Sequence, residues 1–138
     1  MTTDQRFLVQ NSFAKVLPVA DEVATMFYDR MFELDPSLRP LFPEDMTQQR
    51  QKFMQMIGSS VLGLNNLERL APEVEHLGAR HAGYHVKEED YDTVRSALLW
   101  ALKQDLGDDW TQELNEAWKV VYDLLADMMK EGARQASC

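Results

Sequence analysis

Residues 67–86 read LERLAPEVEHLGARHAGYHV. Leu70, Val74, Leu77, His81 and Tyr84 step along it by alternating fours and threes, the spacing that lines one face of an α-helix. The stripe predicts a helix over about 68–83, closed near Gly83, with a buried face that is apolar apart from one histidine. His76 falls with Arg69, Glu73 and Arg80 on the polar face. His85 lies past Gly83, so His81 and His85 are not expected to share one continuous helix. An inward histidine is satisfied either by a carbonyl inside a core or by ligating a metal. A zinc site needs further ligands, and no second one is placed beside His81.

The segments on either side are helical too. Helices are predicted over 4–16 and 19–34, the second burying Val19, Val23, Met26, Phe27 and Met31. Asp35 is an N-cap and Pro36 a first helical position, so a short helix should run to Phe42, where Pro43 stops it. A helix over 46–63, capped by Thr47 or Asp45, leads to a loop at Asn65 and Asn66. Another over 88–106 opens on acidic residues that suit the helix dipole and ends at Gly107. The last, over 110–131, carries Trp110, Leu114, Trp118, Val121, Leu125 and Met128 on one stripe, and residues 132–138 are expected to fray. With no strand-like alternation, repeat or linker, the expectation is an all-α chain forming one domain over 1–138. Its apolar content of 45% is ample for a core.

A net charge of −9 repels phosphate backbones and argues against nucleic acid as a partner. No apolar run reaches membrane-spanning length, and the opening MTTDQRFLVQ lacks the basic start and apolar stretch of a secretory signal. The only cysteine is Cys138, so neither an internal disulfide nor a covalent haem-attachment motif is available. A cytoplasmic location without membrane association is expected. The eight methionines read as core filler.

Two polar residues stand on buried stripes. Gln49 lines up with Met46, Phe53, Ile57 and Leu64, and Tyr28 sits beside Phe27 on a line with Ala24 and Met31. A buried amide without a partner costs about 1–3 kcal/mol. Each residue therefore reaches water from a helix edge, finds a protein partner, or faces a polar ligand.

Taken together, FYDRMFELDPSLRPLF (27–42), QRQKFMQMIGSSV (49–61), LGARHAGYHVKEEDY (77–91) and EAWKVVYDLLADMM (116–129) resemble a globin, over nearly the whole chain. The match is to single-domain bacterial haemoglobins and the haem domain of flavohaemoglobins. The resemblance implies a globin fold, with a pocket between the distal helix (about 46–63) and the proximal helix (about 68–83). The pocket would hold a non-covalent haem b, iron protoporphyrin IX. His81 resembles the proximal iron ligand, Tyr28 and Gln49 the distal pair, and Phe42 the phenylalanine that packs on the haem. Phe53 resembles the apolar residue over the iron, and Tyr91 a tyrosine near the proximal histidine. Phe27, Ile57, Leu77, Val86, Val94 and Leu98 would be pocket walls. In flavohaemoglobins a last-helix glutamate supports the proximal histidine. The matching position falls at or near Gln135, with Glu131 one turn earlier, which puts peroxidase-like activation in doubt.

The resemblance implies reversible binding of dioxygen, carbon monoxide or nitric oxide at a pentacoordinate ferrous iron. A ligand with partial negative charge would be held by the Tyr28 and Gln49 donors. The alternatives are nitric oxide dioxygenation with a separate reductase, a gas-sensor module of a longer chain, and a helical domain without haem.

Overall fold

The structure, a computed structural model, describes residues 1–82 and 87–137. These form six α-helices: α1 (Thr3–Val16), α2 (Ala20–Leu34), α3 (Thr47–Gly63), α4 (Leu67–Ala82), α5 (Glu88–Leu106) and α6 (Gln112–Ser137). Three 3-10 segments, Leu17–Val19, Pro36–Leu41 and Gly107–Asp109, complete the order, and there is no strand among the described residues. The boundaries follow local chemistry. Thr2 and Gln5 form a reciprocal capping box at the start of α1. Asp45 accepts from the Thr47 amide at 3.0 Å ahead of α3, and Asn66 accepts from the Arg69 amide at 3.3 Å at the start of α4. Gly107 ends α5 at a φ of +52°, a left-handed conformation that favours glycine.

Two boundaries differ from expectation. The segment after Asp35 is a 3-10 helix over Pro36–Leu41, although Asp35 caps it as expected, accepting from the Ser37 amide at 3.1 Å. Pro40 inside it has no N–H to donate, so a regular α-helical ladder cannot form there. At the other end, α6 begins at Gln112, and Thr111 caps it by accepting from the Leu114 amide at 3.1 Å. The helix then continues to Ser137, so the segment expected to fray is helical through that residue. It is held there because Gly132 is buried against α4, and Glu131 pairs with Arg134 at 2.7 Å along the helix. Gly83, Tyr84, His85, Val86 and Cys138 lie outside the described residues.

The core lies between α1, α2, α5 and α6. Val9, Phe13, Val16, Val23, Ala97, Ala101, Leu102, Ala117, Trp118 and Val121 are buried in it. One polar contact crosses it: Trp118 Nε1 donates to Ser12 Oγ at 2.9 Å, and Ser12 donates in turn to the Val9 carbonyl at 2.9 Å. Ser12→Ala strands the buried indole N–H, and should lower unfolding free energy by about 1–3 kcal/mol in urea titration. An unchanged midpoint would show that the indole has another partner.

The helices α4 and α6 cross with their backbones almost in contact. A Cβ added at Gly132 would fall onto the Glu75 carbonyl, 2.7 Å from the Glu75 Cα, and one added at Gly78 onto the Met129 carbonyl, 2.6 Å from the Met129 Cα. This crossing fixes the helix that carries His81.

Candidate functional site

The amphipathic spacing of α2 turns Phe27, Tyr28 and Met31 inward, and all three are buried. Across from them α3 presents Gln49, Phe53 and Ile57. Gln49 Nε2 donates to the Tyr28 hydroxyl at 3.2 Å. The two odd polar residues of the sequence are therefore partners. Since the phenol oxygen accepts from Gln49, its own proton remains to be donated. Beside this pair, Arg50 ties α3 to α2 through Asp21 at 3.0 Å.

Aromatic rings close around the phenol. Phe53 lies edge-on to Tyr28 at 5.5 Å and stacks flat on Phe27 at 4.3 Å, and Phe42 meets Tyr28 edge-on at 5.6 Å. Phe32 is 6.0 Å from Tyr28 and 5.6 Å from Phe42. Four of the residues marked out in the sequence, Phe27, Tyr28, Phe42 and Phe53, thus come together, while Phe32 was missed. It lies one turn after Tyr28 on α2, in line with Ala24 and Tyr28, and that spacing is the signal that could have found it.

Burial pushes the Tyr28 pKa up to about 12, against the partly opposing bond from Gln49. Tyr28 therefore stays a neutral donor throughout the physiological range. The Tyr122 hydroxyl is also held well above the usual tyrosine value, first by burial and then by nearby Tyr91. Unfolded tyrosines ionise near pH 10. Above that pH the unfolded chain loses protons that the folded chain keeps, so stability falls as pH rises, by up to about 1.4 kcal/mol per pH unit for each tyrosine. Urea midpoints should fall from pH 10 towards 12, and Tyr28→Phe should make that fall shallower. An equal slope in the variant would mean that Tyr28 ionises freely in the folded protein.

His81 is half-buried near the end of α4. Its Nδ1–H donates to the Leu77 carbonyl at 2.8 Å. The carbonyl partner of an ordinary core histidine is thus present. His76 is exposed. Leu77, Tyr91 and Val94 are half-buried, and Leu98 and Ile57 are buried.

The Tyr122 hydroxyl donates to the Tyr91 carbonyl at 2.7 Å, binding the start of α5 to α6. Sequence reading missed this contact, because a bond between residues 31 apart leaves no periodicity. The Lys130 ammonium lies 5.2 Å from the centre of the Tyr91 ring. Glu131 accepts from Arg134 at 2.7 Å and from Gln135 at 3.3 Å, on a half-exposed face of α6.

These residues fit a haem. The Nδ1 bond of His81 to the Leu77 carbonyl fixes the ring orientation, as metal-ligating imidazoles have theirs fixed by a bond at the other ring nitrogen. The other residues marked out in the sequence and described, Phe27, Phe42, Phe53, Ile57, Leu77, Tyr91, Val94 and Leu98, are aromatic or aliphatic. Such a lining suits a flat apolar macrocycle carrying a small polar ligand.

The chain matches the globin family model over residues 25–129. It is 34% identical to a flavohemoprotein of Xylella fastidiosa over 107 residues, covering 75% of this chain and 27% of that one. The chain thus spans about a quarter of the length of such curated relatives. Its fold is similar to that of an engineered carbene transferase from a putative nitric oxide dioxygenase of Rhodothermus marinus, with a TM-score of 0.88, 26% identity, and coverage of 99% of this chain and 96% of that one. It is also similar to a bacterial globin of Campylobacter jejuni, with a TM-score of 0.87, 22% identity, and 99% of each chain covered. A fold of six α-helices with no strand among the described residues and a family match over three-quarters of the sequence agree: the chain belongs to the globin family.

Proposed function

We propose that this globin binds haem b through His81 and reversibly holds a diatomic gas, dioxygen foremost, on the side of Tyr28 and Gln49. The bond from Gln49 to Tyr28 carries this reading. The haem iron supplies a Lewis-acidic site at which such a gas binds reversibly. His81 would be the iron ligand, presented through Nε2 while Leu77 holds the other ring nitrogen. Tyr28 would donate its proton to the gas ligand, and Gln49, by donating to the phenol oxygen, polarises that O–H and fixes its direction. Phe27, Phe42 and Phe53 would exclude water, with Ile57, Leu77, Tyr91, Val94 and Leu98 as further walls.

A visible absorption spectrum of protein made with haem available tests this, taken before and after dithionite and then carbon monoxide. A strong Soret band that shifts on carbon monoxide addition is the expected result. A colourless protein that refuses added haemin would overturn it. Tyr28→Phe should then speed oxygen dissociation roughly ten- to a hundredfold, because a hydrogen bond to a charged acceptor contributes about 1.5–3 kcal/mol. An unchanged rate would remove the distal role from Tyr28.

The likeness to a putative nitric oxide dioxygenase favours a second reading. Nitric oxide and dioxygen would combine to nitrate, consuming one electron per turnover from a separate reductase. Sustained nitrate production with a reductase, beyond one equivalent per haem, would distinguish this from storage or transport. No helix among the described residues is long and apolar enough to cross a membrane. A cytoplasmic location is part of the same proposal.

A further inference from the structure

The corner between the 3-10 segment and α3 has little backbone structure of its own. Residues 42–46 belong to no helix, and neither Pro40 nor Pro43 has an N–H to offer. Three successive carbonyls there, of Phe42, Pro43 and Glu44, have the same partner. Arg39 Nη1 donates to the Phe42 and Pro43 carbonyls at 3.3 and 3.0 Å, and Arg39 Nη2 donates to the Glu44 carbonyl at 3.2 Å. The same guanidinium lies over the Phe32 ring, 5.2 Å from its centre. Phe32 packs on Phe42 at 5.6 Å, and Phe42 on Tyr28 at 5.6 Å. Arg39 therefore grips Phe42 twice, through the backbone that carries it and through the ring that backs it.

We propose that Arg39 is a positioning residue of the distal pocket: by clamping the 42–44 corner it holds Phe42 against Tyr28 and so fixes where the phenol proton points. This rests on the proposed distal role of Tyr28. The device needs a planar fork with several donors that also stacks on an aromatic face. A lysine keeps the charge but has neither the fork nor the stacking plane, so Arg39→Lys should behave as a loss. An exposed arginine pairing with a carboxylate would be ordinary surface chemistry. Here the partners are three neutral carbonyls on the segment that seats a pocket residue.

The test is a double-mutant cycle on the haem-loaded protein, with oxygen dissociation and the C–O stretching band of the carbon monoxide complex as readouts. Arg39→Ala and Arg39→Lys should each speed oxygen dissociation about three- to tenfold, and should broaden the C–O band towards its position in Tyr28→Phe. In a Tyr28→Phe background the same substitutions should change neither readout, because the group they act through is gone. Arg39→Lys keeps the test available where Arg39→Ala does not fold. Equal acceleration in both backgrounds would show a general loosening of the fold and overturn the proposal. Wild-type rates in both Arg39 variants, alongside a fast Tyr28→Phe, would overturn it while leaving the distal reading standing. A Tyr28→Phe rate equal to wild type would sink the distal reading itself, and Arg39's role with it.

Discussion

Gly132→Ala should lower stability by about 3 kcal/mol or more and cost the protein most of its haem affinity. The reason is the crossing of α4 and α6. The added methyl group would overlap the Glu75 carbonyl and lie 2.7 Å from the Glu75 Cα. Overpacking a core with flexible neighbours costs about 1–3 kcal/mol, because side chains move aside. Here the obstacle is the backbone of α4, which moves only as a whole helix. For a chain of this size, about 3 kcal/mol corresponds to a fall in Tm of roughly 10 °C. The lost haem affinity follows from connectivity. Leu77 and His81 lie on the same helix as Glu75, so a displaced α4 carries the imidazole and its carbonyl partner with it.

Gly58→Ala is the control. Its added Cβ would meet Phe13 Cε2 at 3.4 Å, an ordinary contact, and replacing a helical glycine with alanine gains about 0.5–1 kcal/mol. Thermal melts and haemin titrations of the two variants should move in opposite directions in stability, with haem affinity lost in Gly132→Ala alone. Equal stabilities would mean that the crossing opens without cost.

The same glycine marks where sequence reading stopped. Helix stripes and caps are local, so α1 to α5 were legible to within a residue or so at their described ends, and the cap at Asp35 follows from short-range chemistry. Gly132 read as part of a fraying tail, because a polar run after the last apolar stripe looks unsupported. Its support comes from Glu75, which is 57 positions away and leaves no periodic trace. Pro40 was visible in sequence, but its effect on helix type depended on a segment too short for a pattern.

The candidate site divides in the same way. Tyr28 and Gln49 were conspicuous as polar residues on apolar stripes, and that conflict between local pattern and burial singled them out. That they bond to each other needed the structure. Arg39 and Tyr122 were silent because each acts through backbone carbonyls, whereas Phe32, one turn after Tyr28, was open to the same stripe reading and was passed over. A long polar or aromatic side chain at a helix edge looks the same in sequence whether it meets water or clamps a corner.

His81→Gly should weaken haem binding by more than about a hundredfold, and added imidazole should recover the axial bond without recovering full affinity. Loss of an outer partner of a metal-bound histidine already costs about ten- to a hundredfold, so loss of the ligand itself must exceed that. Glycine leaves room where the ring was, and free imidazole fits it with the same donor atom. The free ring is not tied to α4. It must be ordered when it binds, and nothing holds its second nitrogen on the Leu77 carbonyl as His81 Nδ1 is held at 2.8 Å. The rescued protein should therefore show a normal Soret band only at high imidazole and lose it on dialysis. His76→Ala removes an exposed ring from the polar face of α4 and should leave the spectrum unchanged. His85→Ala decides between the two histidines of ARHAGYHV. If it bleaches the protein while His81→Gly does not, the iron ligand is His85, and the bond between His81 and Leu77 is only the satisfaction of a core histidine. The expected order is the reverse, because His81 continues the stripe of Leu70, Val74 and Leu77, and a ligand must face inward from the helix that the α6 crossing holds in place.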